Sequence, residues 1–265
     1  MRVWAVANQK GGVGKTTTAV SLAGELSRDG KTVLLVDLDP HGSMTSYFGY
    51  DPDTHEPSVY HLFQTPAVAM HEVMVDTKVE RVKLLPSSVA VATLDRQLGT
   101  QEGKGLVIQR ALVPYFDQFD YCLIDCPPLL GILMVNALAA ASRLLVPVQT
   151  EFLAIKGLER MLHTLNMVLR ARKTPLSYLI LPTMFDRRTR AAIQSLRQLR
   201  ETYPEQMWEG VIPVDTRFRE ASQQGLPISH VAGSSRGARA YDRLLQHLLE
   251  DDGQQPTAQR MGHSS

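Results

Sequence analysis

Residues 3–8, VWAVAN, lead at once into QKGGVGKTT and then into the helical pattern TTTAVSLAGELSRDG. The order of strand, glycine-rich loop and helix constrains the fold more than any other feature, because glycines there let consecutive backbone N–H groups turn inward around an anion at a helix N-terminus. The helix dipole contributes only about 0.3–1 kcal/mol per charge, up to ~2 when partly buried, so several N–H bonds and a lysine must share the anion's charge. Gly11, Gly12, Val13, Gly14, Lys15, Thr16 and Thr17 are the residues expected around a nucleotide phosphate. Thr16 has the hydroxyl position suited to Mg²⁺, and Thr17 can hold a second phosphate through side chain or backbone. Two details depart from the G-x-x-x-x-G-K-[ST] pattern: Gln9 stands where its first glycine belongs, and Lys10 is a cation the loop does not need.

Short β-branched and leucine-rich runs recur at 32–39, 82–87, 120–128, 143–149, 176–183 and 209–215, with helical periodicity between them, as in LERMLHTLNMVLRARK and AAIQSLRQLRETY. Near-continuous apolar strands alternating with helices predict an α/β fold, a single doubly wound, mostly parallel sheet with helices on both faces. No linker or repeat divides the chain, so one domain is expected over 1–250, followed from Asp251 by a disordered tail over 251–265.

In such a sheet, ligands collect at the carboxyl ends of the strands. LLVDLDP offers Asp37 and Asp39 there, and YCLIDCPP offers Asp125, a Walker-B-type acid preceded by apolar and small residues and placed to hold Mg²⁺ through its water shell. A lone strand-end aspartate often merely caps a helix. Three around one phosphate loop point to a metal–nucleotide site. Cys122 and Cys126 have neither disulfide nor zinc spacing and read as small core residues. The net charge of +1 excludes a wholesale polyanion binder, so any nucleic-acid surface must be a local patch. MRVWAVANQKGG is interrupted by polar residues too soon for a signal peptide, and no apolar run approaches the ~20 residues of a membrane span, so a cytoplasmic protein is expected.

With KGGVGKTT, VDLDPHGS and LIDCPP together, the chain resembles the ParA/MinD family of deviant Walker A ATPases, specifically its ParA-type members, and the likeness extends through LPTMFDRRT, VIPVDTRFREAS and SSRGARAYDRLL. The resemblance implies ATP and Mg²⁺ as cofactors and an ATP-dependent homodimer that positions or partitions intracellular cargo. It implies that Lys10 reaches the phosphates bound by the other subunit, and that Asp39 orients the attacking water while Asp37 lies nearer the metal. Met184, Pro213 and Asp215 match segments that hold adenine. His41 stands where the family commonly has glutamine, and can either alter water positioning or dimer contacts or be an exposed loop side chain.

ParA-type members bind DNA non-specifically through arginines matching Arg188 and Arg217, with Arg219, Arg187 and Arg190 nearby and Arg197 and Arg200 on the following helix. No base-reading motif is visible, so binding would be independent of sequence; the alternative is a solvated face in which arginines pair with glutamates such as Glu201 and Glu220. An activating partner protein is implied, ParB-like or a polar, chemotaxis-associated protein, since VDLDPHGSMTSYFG resembles the subgroup encoded with chemotaxis genes. Three rivals remain. A membrane cycler of the MinD type is disfavoured by the acidic end LLQHLLEDDGQQ, a cluster-bearing reductase is disfavoured by the placement of both cysteines, and a metabolic phosphate-loop ligase stays open.

Overall fold

The computed structural model describes residues 1–99, 103–169 and 176–254. Its strands are β1 (Arg2–Val6), β2 (Val33–Asp37), β3 (Val75–Asp76), β4 (Val82–Leu85), β5 (Tyr121–Asp125), β6 (Arg143–Gln149) and β7 (Ser177–Thr183). The α-helices are α1 (Lys15–Arg28), α2 (Ser43–Tyr47), α3 (Met70–Val73), α4 (Leu94–Leu98), α5 (Val107–Leu112), α6 (Ile132–Ala140), α7 (Phe152–Leu169), α8 (Arg190–Thr202), α9 (Arg217–Gln224), α10 (Ile228–Ala232) and α11 (Arg236–Gln254). The strands form one sheet in the order β3-β4-β2-β5-β1-β6-β7, and only the β3–β4 pairing is antiparallel.

Alternation along the strands sends side chains to two cores. Val3, Ala5, Ala7, Val36 and Ile124 face one layer, packed with Leu133 and Met134 of α6 and Ile155 and Leu158 of α7. Trp4, Val6, Leu35 and Leu123 face the other, against Leu22 and Leu26 of α1 and Leu244, Leu245 and Leu248 of α11. The sheet is therefore covered on both sides, as the apolar strand runs predict. Cys122 and Cys126 are buried free thiols of the first layer.

Three expectations need correction. First, 209–215 is not a strand: it lies along the outer edge of β7 through separate bonds, Trp208 N–H to Ile180 O, Ile212 N–H to Pro182 O and Val214 N–H to Phe185 O, with isolated bridges only. Pro182 has no N–H to offer on that edge, which interrupts a continuous ladder. Second, the sheet holds a strand outside the expected set, the two-residue edge strand β3, which is too short to carry a periodic signal. Third, the tail does not begin at Asp251. Helix α11 continues to Gln254, and Asp251 and Asp252 lie 2.5 and 2.8 Å from the guanidinium of Arg143, with Asp252 also 2.9 Å from Arg2. The rest of the expected tail, and residues 170–173 of the expected long helix, fall outside the described residues.

Arg143 opens β6 and is only 3% exposed, so its charge depends on those two aspartates. Breaking a buried ion pair costs about 3–5 kcal/mol, and the half-exposed Asp251 argues for the lower end. Arg143→Ala is expected to cost about 3 kcal/mol and to lower the Tm by roughly 6–12 °C in thermal unfolding followed by circular dichroism.

Candidate nucleotide site

The loop after β1 turns through Gly12 and Gly14, at φ 72° and 94°, conformations that only glycine adopts cheaply. Gly14 is the N-cap of α1, which has no side-chain cap and no acidic residue in its first turn. The first N–H groups of α1 thus keep their hydrogen-bonding capacity for an anion. Thr183 at the end of β7 donates from Oγ1 to the Val13 carbonyl, at 2.8 Å, and ties the loop to the sheet. Above it opens a cavity of about 400 Å³ lined by Gly11, Gly12, Gly14, Lys15, Thr16, Thr17, Asp39, His41, Ser43, Pro128 and Met184.

Strand register delivers the acids. Asp37 ends β2 directly opposite Asp125, which ends β5, and Val6 of β1 is the other neighbour of Asp125. Both carboxyls are fully buried. Asp125 Oδ2 accepts the Thr16 hydroxyl at 2.5 Å, whereas Oδ1 has no hydrogen-bond partner among the described residues. Burial pushes the Asp125 carboxyl well above its ordinary range, the charge of Asp37 adds to this, and the Thr16 bond and Lys15 oppose it. Asp37 is pushed up to about 6, chiefly by burial and further by Asp39, while bonds from Thr45 hold it down. An orphaned carboxylate oxygen beside a hydroxyl and a second carboxylate is a hard-oxygen donor set that fits Mg²⁺.

The loop after β2 is fixed by a buried relay. Thr45 donates its N–H and its hydroxyl to Asp37 Oδ2, at 2.9 and 2.8 Å. The Thr45 hydroxyl accepts the Ser87 N–H at 2.8 Å, and the Ser87 hydroxyl donates to the Asp39 carbonyl at 2.8 Å. Neither Thr45 nor Ser87 is singled out by the sequence reading, although both fall in stretches flagged for other reasons, VDLDPHGSMT and VKLLPS. Asp39 itself is 8% exposed and faces the cavity.

Lys10 does not line that cavity. Its ammonium turns to the end of β6, where it pairs with Glu151 and lies 3.3 Å from Gln149 Oε1. Its backbone N–H goes to Asn8 Oδ1, and the buried Asn8 amide donates to the Pro147 carbonyl. Met184 lines the cavity with a positive φ of 52°. Pro213 and Asp215 do not line it: Pro213 bridges Phe185, next to Met184, and Asp215 accepts the N–H groups of Arg217 and Gly237.

The loops that carry Arg188 and Arg217 converge beyond the end of β7. Arg188 is pinned bidentately to Asp186, whose carboxyl that contact holds at about 2, with Arg236 adding to the effect. Arg217 pairs with Glu220, Arg197 with Glu201, and Arg200 donates to the Glu209 carbonyl. Arg219, Arg187 and Arg190 are exposed. Arg236, at the head of α11, joins this group and is not singled out by the sequence.

A family model described as an AAA domain matches residues 1–178. The sporulation initiation inhibitor protein Soj of Bacillus subtilis is 37% identical over 248 residues, 93% of this chain and 98% of that protein. The chromosome-partitioning ATPase Soj of Thermus thermophilus is 42% identical over 246 residues, 92% of this chain and 94% of that protein. Among solved structures, cobyrinic acid a,c-diamide synthase from Mycobacterium smegmatis with bound ATP analogue and magnesium superposes with a TM-score of 0.83, at 35% identity and 96% coverage of each chain. The chain belongs to the ParA/MinD family of ATPases. This ATPase uses ATP and Mg²⁺, and the open phosphate loop and the orphaned Asp125 oxygen are the features of its own site that answer to them.

The raised carboxyls have a signed consequence. A buried acid whose folded pKa is raised contributes stability that is complete below the unfolded pKa and is lost as pH rises through the folded one. Asp125→Asn removes the charge while keeping an oxygen for Thr16, so at neutral pH the nucleotide-free variant is expected to melt about 2–4 °C above the wild type, the equivalent of about 1 kcal/mol. The difference should shrink toward pH 4, and the further stabilisation by ATP with Mg²⁺ should be lost. Thermal scans across pH, with and without the metal–nucleotide complex, check both.

Proposed function

We propose that this ATPase is a dimerising switch that positions or partitions an intracellular cargo, with DNA as the surface it binds in the ATP state. The observation that carries the reading is the direction of Lys10, whose ammonium leaves its own phosphate cavity for the protein surface. A cation placed there can serve a nucleotide held by a second copy. Phe152 and Leu153, 61% and 71% exposed, follow Glu151 directly, and Leu129, 71% exposed, follows the cavity residue Pro128. Large apolar side chains left in solvent beside a site favour a partner that covers them.

In this scheme Lys15 and the N–H groups of the loop hold the phosphates. Thr16, Asp125 and Asp37 would hold Mg²⁺, which would spread and neutralise phosphate charge. Asp39 orients the attacking water, and Lys10 of each copy stabilises the charge that develops on the other's phosphoryl group, a contribution on the order of 10³–10⁵ for finger residues generally. Adenine rests against Met184, with Pro213 and Asp215 supporting that wall from outside the cavity. Intrinsic turnover is slow until a partner protein completes or repositions the site. The chromosome-partitioning name of the Thermus relative favours DNA as cargo over a polar chemotaxis assembly.

Arg188, Arg217, Arg219 and Arg236 form the proposed phosphate-binding patch. Their pairing with Asp186 and Glu220 is exposed and therefore exchangeable. The name of the diamide synthase supplies a second reading, a metabolic amide-forming ligase. Nitrogen transfer through a cysteine nucleophile needs an accessible thiolate. Both cysteines of this chain are buried and pushed up by that burial, which disfavours it. Among the described residues no helix is long and apolar enough to cross a membrane.

Lys15→Ala is expected to lose ATP binding. Lys10→Ala should bind ATP yet neither dimerise nor hydrolyse it, and Asp39→Ala should accumulate the dimer, as read by light scattering and phosphate release. Normal dimerisation and hydrolysis by Lys10→Ala would falsify the trans role. The ATP-loaded protein should retard duplex DNA with a log–log salt slope of about 0.9 per neutralised phosphate. Arg188→Glu with Arg217→Glu should abolish the retardation without changing ATP binding.

A further inference from the structure

His41 makes a contact that the switch scheme does not use. Its Nδ1 lies 2.8 Å from Asp39 Oδ1, and its backbone N–H donates to the same oxygen at 3.0 Å. A carboxylate oxygen only accepts, so Nδ1 carries the proton. Both bonds fall on Oδ1 and neither on Oδ2. The ring is 78% exposed and lines the nucleotide cavity, so no packing requirement explains where it sits.

From this geometry we infer that His41 is a positioning residue for hydrolysis: its Nδ1–H locks the rotation of the Asp39 carboxylate and leaves Oδ2 directed to the water. The inference rests on the proposed role of Asp39. Several bonds already fix the backbone of this segment. Ser87 holds the Asp39 carbonyl, the Asp39 N–H goes to Asp37, and the Gly42 N–H goes to the Asp39 carbonyl. Those bonds do not touch the carboxylate itself, a broad two-fold rotor that, apart from the ring, only the His41 N–H restrains, through Oδ1. The ring adds a second directional donor to the same oxygen and removes the freedom that a single bond leaves. A carboxylate aligned before reaction avoids that reorganisation during the chemical step, and this acts on the rate more than on the binding of ATP.

The position of the donor makes the claim specific. In asparagine the amide nitrogen is bonded to Cγ, as Nδ1 is in histidine, so His41→Asn keeps a donor in place. His41→Leu has similar bulk and no donor. Single-turnover hydrolysis at saturating ATP and Mg²⁺ gives the rate, a fluorescent ATP analogue gives Kd, and sedimentation velocity gives the dimer fraction. His41→Leu is expected to hydrolyse about fivefold to tenfold more slowly, the size of one hydrogen bond to a charged group discounted for exposure, with Kd and dimer fraction within about twofold of wild type. His41→Asn should recover most of the rate.

A wild-type rate in His41→Leu overturns the inference. So does an asparagine variant as slow as leucine, or a slower rate accounted for by weaker ATP binding or less dimer. Asp39→Ala run alongside separates the two levels. If it hydrolyses normally, the reading of Asp39 fails and His41 falls with it. An inactive Asp39→Ala beside an unaffected His41→Leu removes only the role of His41.

Discussion

The register that sets Asp37 opposite Asp125 is the constraint around which the site is arranged. Adjacent parallel strands stand ~4.8 Å apart, so two carboxyls at facing strand ends cannot separate without unpicking the sheet. Burial raises both, with the charge of Asp37 adding at Asp125 and that of Asp39 adding at Asp37. The protein answers Asp37 with the N–H and hydroxyl of Thr45, and Asp125 with the Thr16 hydroxyl and the charge of Lys15. The answer at Asp125 is incomplete, because Oδ1 stays buried without a partner among the described residues. With helices packed on both faces of the sheet the deficit cannot relax, and the site keeps an affinity for a divalent cation built into its backbone.

This also explains why the phosphate loop and the acids arrive together. β1 lies next to β5, with Val6 beside Asp125, so the loop leaving β1 and the acid ending β5 are neighbours before any side chain is placed. β2 reaches the same edge from the other side of β5. Two strand pairings, with no long loop, bring Lys15, Thr16, Asp37 and Asp125 into one volume. The Thr45–Ser87 relay then extends that rigidity to the loop carrying Asp39.

What could be read in the sequence follows the same division. Asp37, Asp125 and the glycine loop are legible because local order, strand then turn then helix, fixes their place. Six strands are legible because burial on both faces makes them uniformly apolar, as in β2 and β5. Thr45 and Ser87 are not legible: a threonine in a helix and a serine after a strand have no local signature, and only the tertiary approach of two loops makes them partners. The segment 209–215 misleads because β-propensity says nothing about whether the neighbouring edge can offer a ladder, and Pro182 interrupts it. Asp251 and Asp252 look like solvated tail residues until the burial of Arg143 gives them a purpose. Pro213 and Asp215 are adenine candidates by their stretch, yet the chain uses Asp215 to receive backbone N–H groups of α9 and α11.

Lys10 and Lys15 lie five residues apart, and their environments differ in a way that suits different tasks. Lys15 is 8% exposed and sits within the field of Asp125, so its charge belongs to a buried network and is costly to disturb. Lys10 pairs with Glu151 where both side chains are more than a third exposed. Exposed pairs contribute about 0–1 kcal/mol, so this contact orders the lysine without committing it. On the proposed reading that weakness is functional, because a bound triphosphate on a second copy offers several negative charges against the single one of Glu151 and readily takes the lysine over. A tighter cis pair would oppose the exchange, and a wholly free lysine would have to lose the rotamer freedom of its long side chain at the moment of association.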